Sequence, residues 1–488
     1  AQWCQYDPVA RTPVNDGARL AFGDVVNTMY DFTQADVILS LDSDFLMDMP
    51  GSVAYAADFS EKRRVRMDKQ NTSRLYAVTS SQTNTSSVSD HALPMRAADV
   101  EAFTLALASA LGADGGSGEF SEAASAFGAA VVEDLQSAGA NAVVVPGEGQ
   151  SAVVHALAHA INAALGAVDT TVMYTDSPLT NTTNALEQLS NLIGVSGGLE
   201  ALIIIDGNPV HDAPADVNIA SAISTVPFSV HLSLYRNETS YEATWQVPLA
   251  HFIETWGDGR AFDGTASVIQ PPIGALYSTA IGPLEIVAMM ADDERSAFEI
   301  VRDYWEGELA SSDFATDWRR FLELGVIEGT AFDTTSPSLS GSLASDIEAA
   351  VSTPADGLEV VIRVDPLIWD GRFSNNPWLQ ELPNPITKIA WDTVAMMSEA
   401  TADEISARDG EIIDITVGNN TMQAPAWVMP KHPDDSITVM LGYGQGISPE
   451  LDEDLRFDAY AIRTSDALYG TAGISAEGTG RNYGLDLG

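Results

Sequence analysis

Three small residues after a predicted strand could form a phosphate-binding turn. Gly147, Gly149 and Ala152 spell G-x-G-x-x-A between the apolar run NAVVVP and the helical segment SAVVHALAHAINAAL. Such residues permit a tight turn and close backbone approach to a dinucleotide, whose phosphates the helix N-terminus favours. Asp176, at the end of the next strand, could then contact a ribose. Glu148, however, places a carboxylate inside the turn that would repel a phosphate, so a structural strand-to-helix turn is the favoured alternative.

Two histidines on one predicted helix have the spacing of a metal site. His155 and His159 are separated by Ala156, Leu157 and Ala158. A metalloprotease helix would carry Glu at the second position, and no third ligand is evident nearby. The pattern therefore favours a packed or hydrogen-bonded histidine pair, and we predict no metal site.

Polar residues follow two further apolar strands. Asp42 and Asp44 come after ADVILSL (Ala35–Leu41) and could in principle form an acid–base pair. With no histidine or basic residue beside them, we expect exposed loop carboxylates on an acidic surface. Gly207 and Asn208 follow LIIID, where turn-forming residues are structurally ordinary. We predict no catalytic residue among them.

Alternating strand and helix signals predict the elements that position these residues. Helices are expected over Gly51–Arg66 and Ala97–Leu111, and short apolar strands lie between the helical segments. This alternation predicts parallel sheets covered on both faces, with ligand sites at the carboxyl ends of the strands. From about Gly357 onward, short β segments separated by turn residues predict a barrel or sandwich, interrupted by a helix over Lys388–Ala407.

The predicted fold class is α/β, with Rossmann-like parallel-sheet units followed by a C-terminal β-barrel-like domain. The expected boundaries are 1–118 for a first unit truncated at its start, 119–345 for a second unit with a helical extension, and 346–488 for the β-rich domain. The opening AQWCQYDPVARTP is expected to lie within a domain and not at a natural start.

The charge balance is strongly acidic. The 488 residues include 69 Asp and Glu against 23 Lys and Arg, a net charge of −46, while 45% of the residues are hydrophobic. This hydrophobic content excludes a disordered chain, and the lack of basic residues argues against nucleic-acid binding. Because molar salt shortens the Debye length to roughly 3 Å, such self-repulsion predicts a halophilic protein.

Cysteine content and hydropathy limit the cofactors that the chain can hold. Cys4 is the only cysteine, so an internal disulfide and an iron–sulfur cluster held by these residues alone are excluded. The sequence contains no run of 18 apolar residues, so we predict no membrane span, and we expect no signal peptide before Ala1.

Several longer segments occur in a characteristic order: ADVILSLDSDF, RLYAVTSSQTNTSSVSDHALPMRAADVEAFTLALA, LIIIDGNPV, NPWLQELPNPITKIAWD and PAWVMPKHPDDSITVMLGYG. Together they resemble the molybdopterin oxidoreductase superfamily. In that family a strand ADVIL leads to a cofactor loop, a later strand ends in G-x-N-P, and a C-terminal barrel closes over the pterin dinucleotide. Asp206-Gly207-Asn208-Pro209 departs from this pattern, because no residue separates Gly207 from Asn208.

A second set of segments resembles one branch of that superfamily: SLDSDFL, PGSVAYAADF, VVHALAHAIN, GNPVHDAPAD, GDGRAFDGTASVIQP and IVRDYW. The branch is the large iron–sulfur subunit of alternative complex III, a quinol:electron acceptor oxidoreductase. The resemblance implies a molybdoenzyme-like region that holds no molybdenum cofactor, with iron–sulfur clusters in a domain absent from this sequence.

The residues at the expected cofactor loops agree with this implication. Asp42 and Asp44 place carboxylates near the expected pyrophosphate, and Thr79-Ser80-Ser81 stands where the active family has a Pro-Arg pair. Cys4 lies near the position of the family's molybdenum ligand, but its neighbours match no such loop, and its role stays open. We therefore expect no bound cofactor and interpret the following residues as vestigial pterin-dinucleotide loops: Asp42, Asp44, Gly147, Gly149, Gly207 and Asn208.

The resemblance predicts a scaffold region in a quinol-oxidising respiratory complex. Its partners would be a membrane quinol subunit and cytochrome c subunits, and it would be membrane-associated, at the periplasmic face. Two alternatives stay open. One is a catalytic bis-molybdopterin oxidoreductase of the polysulfide or tetrathionate reductase type; the other is a soluble dinucleotide-dependent oxidoreductase that uses the Gly147 turn.

Overall fold

A computed structural model describes residues 3–65, 72–179, 184–195, 198–353, 356–445 and 457–487. Arg66, the last residue of the helix expected over Gly51–Arg66, lies outside these residues. Among the described residues, no helix combines the length and hydrophobicity that a membrane crossing needs.

The helices cover mainly the first two thirds of the chain. Their bounds are α1 Thr12–Phe22, α2 Ser52–Arg63, α3 Asn84–Ser87, α4 Ala97–Leu111, α5 Glu122–Ala138, α6 Ala152–Leu165, α7 Ala185–Val195, α8 Pro209–Asp212, α9 Ile219–Thr225, α10 Glu238–Glu242, α11 Pro283–Met290, α12 Ala297–Leu309, α13 Phe314–Leu324, α14 Leu343–Ala350, α15 Pro377–Glu381 and α16 Glu399–Glu404.

The strands are short until the last third of the chain. Their bounds are β1 Asn27–Tyr30, β2 Val37–Leu41, β3 Arg74–Thr79, β4 His91–Pro94, β5 Ala142–Pro146, β6 Val172–Thr175, β7 Leu202–Ile205, β8 Ser229–Ser233, β9 Trp245–Pro248, β10 Gly257–Arg260, β11 Ala266–Ile269, β12 Thr334–Thr335, β13 Glu359–Arg363, β14 Ile389–Ala390, β15 Ala395–Met397, β16 Glu411–Val417, β17 Asn420–Val428, β18 Ser436–Met440, β19 Gly470–Ala472, β20 Ser475–Asn482 and β21 Asp486–Leu487.

The first sheet is parallel, in the order β4-β3-β2-β5. Every residue of β2 and β5 is buried, as the non-alternating apolar runs predict. Leu39 and Val144 pack on one face against α4 and α6, while Ile38 and Val143 pack on the other in an aromatic cluster around Phe32. Leu41 pairs with Val78 and with Pro146, so β3, β2 and β5 end together at the same side of the sheet.

The first sheet contains strands from both sides of residue 118, the predicted end of the first unit, because β5 hydrogen-bonds to β2. The domain boundaries themselves stay predictions. The strand β6 does not continue the parallel sheet; it pairs antiparallel with β1 and β12. Asp176, which follows β6, therefore does not follow a parallel neighbour of β5, as a dinucleotide fold would require. A separate parallel sheet, β7-β8-β9, carries Gly207 and Asn208 at the end of β7.

The last third forms a curled seven-stranded sheet in the order β19-β13-β18-β15-β17-β16-β20. Ile413, Ala424 and Ile437 lie in its core. The helix predicted over Lys388–Ala407 is wrong: this stretch contains β14, β15 and the short α16. Lys388 and Trp391 both have positive φ, which no right-handed helix allows, and buried Met396 and Met397 are paired in the sheet.

Candidate functional site

The carboxyl edge of the first sheet faces the C-terminal sheet across a cavity of about 390 Å³. Residues from the N-terminal region, from β13 and from the segment just before β19 line it. Its charged and aromatic lining residues include Arg11, Asp42, Asp48, Glu148, Arg363 and Tyr469.

Asp42 is the centre of a polar network at the end of β2. It has a positive φ of 59° and is 8% exposed. Its carboxylate accepts hydrogen bonds from the Ser80 backbone N–H at 2.8 Å and the Ser80 hydroxyl at 3.0 Å, and from the Gln150 amide at 2.8 Å. It also accepts one from the Arg363 guanidinium, which lies on β13. The carboxylate thus joins the ends of β2, β3 and β5 to the C-terminal sheet.

The expectation that Asp42 is an exposed carboxylate without a basic partner is therefore wrong. Arg363 donates both to Asp42 and, at 3.0 Å, to the Ser80 hydroxyl. Burial opposes the charge on this guanidinium, but nearby Asp42, Asp48 and Asp44 raise the pKa of Arg363 above its ordinary value. The two partners are 321 positions apart, so local sequence carries no sign of the pair.

Asp44 is also buried, and its role is local. Its carboxylate accepts hydrogen bonds from the Thr85 backbone N–H at 2.8 Å, the Thr85 hydroxyl at 2.7 Å and the Asn84 backbone N–H at 3.3 Å. These groups lie at the start of α3, where unpaired N–H groups need acceptors. The expectation of an exposed loop residue is wrong here too, because Asp44 holds the start of a helix.

The glycine turn after β5 packs closely against other segments of the same chain. A Cβ atom at Gly147 would lie 2.2 Å from the Asp42 carbonyl oxygen, so only glycine allows this approach of two strand ends. A Cβ atom at Gly149 would lie 3.0 Å from the ring of Tyr469, which covers the turn. Glu148 forms a bidentate pair with Arg11, at 2.6 and 3.0 Å. The pair neutralises the carboxylate that was expected to repel a phosphate.

Asp48, which the sequence reasoning did not identify, lines the same cavity. Burial, followed by the charge of Asp44, raises the pKa of Asp48 well above its usual range. The sequence reasoning also missed Arg11 and Arg363. No motif could have revealed these three, because they come from separate segments that meet only in the folded chain.

Gly207 and Asn208 lie at the end of β7 and do not line this cavity. Gly207 has a φ of 75°, as a tight turn requires. The Asn208 amide donates to Glu238 at 2.6 Å and its oxygen accepts from the Thr239 hydroxyl at 2.9 Å. The turn is thereby tied to α10, and the structure does not bring it together with Asp42 and Gly147.

The two histidines of α6 are buried, and burial lowers the pKa of each to about 3. Nδ1 of His159 is 3.0 Å from the Tyr174 hydroxyl. Across the described ranges, no three His, Cys, Asp or Glu side chains are grouped so that they could hold a metal ion.

Cys4 is half-buried and does not line the cavity. Burial raises the pKa of its thiol.

Comparison with solved structures supports the fold. The chain is similar to acetylene hydratase from Pelobacter acetylenicus, with a TM-score of 0.62 and 12% sequence identity, over 94% of this chain and 77% of that one. The fold is molybdopterin oxidoreductase-like. Parallel α/β sheets followed by a curled C-terminal β sheet confirm the predicted fold class. No family model and no curated protein matches the sequence.

The residues at the strand ends do not suit the pterin dinucleotide that this fold implies. Phosphates would meet Asp42, and Arg463, which also lines the cavity, donates to the backbone carbonyls of Pro8 and Leu468. The other cations at this edge, Arg11 and Arg363, are already paired with carboxylates. Losing these pairs to bind a phosphate would leave buried carboxylates without counter-charges. A cavity of about 390 Å³ is also near the lower end of the roughly 300–1,000 Å³ typical of single small-ligand sites, and two pterin dinucleotides would need more.

Proposed function

We propose that this chain is a cofactor-free scaffold region of a membrane-associated quinol-oxidising complex of the alternative complex III type. One observation supports this most strongly: the chain's own ion pairs close the edge at which the fold would otherwise hold a dinucleotide. Asp42–Arg363 and Arg11–Glu148 both lie there.

In this proposal the former cofactor edge serves to hold two regions rigidly together. Glu359 supports this interpretation, because its carboxylate accepts from the Ala97 and Ala98 backbone N–H groups at 2.8 and 3.1 Å and from the Ser436 hydroxyl at 2.8 Å. A side chain of the C-terminal sheet thus caps α4. A rigid body suits a subunit that holds others in place while electrons pass through iron–sulfur clusters elsewhere.

The cofactor part of the proposal is tested by elemental analysis. The full chain is expressed in a host that makes the molybdenum cofactor, beside an active molybdoenzyme that proves the host's competence. We expect no molybdenum and no pterin in the chain. Near-stoichiometric metal would overturn the scaffold role and favour the catalytic molybdoenzyme. Binding of NADH in a fluorescence titration would instead favour the dinucleotide-dependent enzyme.

The complex is tested in membranes of the source organism. We propose that the chain is held at the periplasmic face by a membrane quinol subunit and contacts cytochrome c subunits. An affinity-tagged chain should then purify from detergent-treated membranes with an integral membrane protein and with c-type haem absorbance. Recovery of the tagged chain alone, with no haem and no quinol oxidation, would refute this assignment.

A further inference from the structure

A cluster of exposed apolar side chains lies beside the three-stranded parallel sheet. We call it the apolar patch and define it by Phe252, Ile253, Leu276, Tyr277, Met289 and Met290, whose exposed fractions run from 37% to 74%. Isolated exposed apolar residues are common, but a group of this size marks an interaction surface in a soluble fold.

Three segments build the apolar patch, and hydrogen bonds hold them next to each other. The backbone N–H of Leu276 donates to the Glu254 carboxylate at 3.2 Å, and that of Ala250 donates to the Ile281 carbonyl at 3.0 Å. The Thr255 hydroxyl donates to Glu285 of α11 at 3.1 Å. The loops before β10 and after β11 and the helix α11 therefore form one region of the surface.

The charge of this region differs from that of the rest of the chain. Residues 264–291 carry one charged side chain, Glu285, in a chain of which 19% is charged. Immediately after them come Asp292, Asp293 and Glu294. Because residues 264–291 have so few charged side chains, water solvates this part of the surface poorly. The residues at its border carry negative charge.

The two arginines that flank residues 264–291 in the sequence already have partners within the chain. Arg295 pairs with Asp293 at 2.7 Å and with Asp303 at 3.3 Å. Arg260 donates to the Gly264 carbonyl at 2.6 Å and lies over the ring of Trp305. The border of the apolar patch thus offers the carboxylates of Asp292 and Glu294 to a partner, while Asp293 and Arg295 neutralise each other.

We infer that the apolar patch docks a protein subunit that has an apolar centre and a rim of basic residues. A second copy of this chain would bring the same acidic border and a net charge of −46, so self-association is disfavoured. A lipid surface is disfavoured because interfacial segments rely on Lys and Arg facing anionic lipid. The inference rests on the proposed scaffold role.

The test adds two carboxylates to the apolar patch of the full chain, as Leu276→Glu with Met289→Glu. The matched control adds two at isolated exposed valines, as Val53→Glu with Val65→Glu, which are 85% and 68% exposed. Each tagged chain is purified from membranes of the source organism in molar KCl, and the partner subunits are quantified by mass spectrometry. We expect recovery of at least one partner to fall about tenfold or more in the patch variant and to stay unchanged in the control.

A second measurement keeps the test independent of folding. Tyr277, 71% exposed, is replaced by p-benzoylphenylalanine, which preserves an aromatic side chain, and the assembled complex is irradiated. We expect a cross-link to a segment of another subunit that has apolar residues flanked by Lys or Arg. A cross-link to a second copy or to lipid would overturn the inference, as would full partner recovery by the patch variant. If the wild-type chain itself purifies alone, the proposed function fails as well.

Discussion

Replacing Asp42 with Asn removes the charge at the centre of the strand-end network while keeping the size of the side chain. Arg363, whose side chain is 13% exposed, would then lack its closest counter-charge. The Ser80 and Gln150 groups that now donate to the carboxylate would face an amide that can accept at one atom only.

The expected loss in the free energy of unfolding is about 3–5 kcal/mol, because removing one member of a buried ion pair leaves the other uncompensated. We expect the lower end, since Asp44 and Asp48 also act on Arg363 and relieve part of its unpaired charge. The variant Arg363→Met should cost a similar amount. The double variant should cost clearly less than the sum, because replacing both members removes the uncompensated charge.

Denaturant unfolding in molar KCl measures all three variants against the wild type. The matched control is Arg320→Met. It breaks a pair with Glu328 whose side chains are 61% and 50% exposed, so the free energy of unfolding should stay close to that of the wild type. A loss for Asp42→Asn no larger than that of the control, or single effects that simply add in the double variant, would show that Asp42 and Arg363 do not form a stabilising buried pair.

Three further outcomes follow from the same structure. Gly147→Ala would place a methyl group 2.2 Å from the Asp42 carbonyl oxygen and should lower the free energy of unfolding by about 1–3 kcal/mol or more. The control Gly341→Ala has open space around the added methyl group and should not lower it. Equal melting temperatures of the two variants would contradict the close approach at Gly147. Burial raises the pKa of Asp212 to about 7. Because the folded state keeps this proton while the unfolded state releases it, the contribution of Asp212 to stability should fall as the pH rises from about 4 to 7, by up to about 1.4 kcal/mol per unit, while the buried His155 and His159 contribute in the opposite direction. Asp212→Asn should remove that fall, and parallel pH–stability curves would count against it. The chain has a net charge of −46, and its carboxylates repel one another. The midpoint of thermal unfolding should therefore rise steeply as KCl shortens the Debye length from about 30 Å at 0.01 M to about 3 Å at 1 M. A midpoint that stays the same across the KCl series would indicate a local acidic binding surface.

Local sequence pattern was sufficient for the elements around the site. The apolar runs of β2 and β5 predict strands buried on both faces, and α4 spans Ala97–Leu111 as expected. These features depend on residues close together in the chain, whose periodicity reflects the side they bury. The fold class followed from the order of such segments and from the resemblance that they carry.

Elements whose conformation depends on distant partners were predicted less well. The stretch Lys388–Ala407 has helix-forming residues, yet its methionines pair in the curled sheet, and tertiary pairing outweighs helix propensity. Likewise β6 follows a buried helix as a parallel strand would, but it pairs antiparallel with β1.

The sequence by itself determined the strand-and-helix order, the acidic surface and the positions of the strand-end loops. Only the tertiary structure decided what those loops do. The sequence around Asp42 predicts an exposed carboxylate because no basic residue is near it in the chain, but β13 brings Arg363 to it and the side chain is buried. Whether a carboxylate faces water or a counter-charge depends on which segments meet in space, and pairs so distant in sequence leave no local pattern.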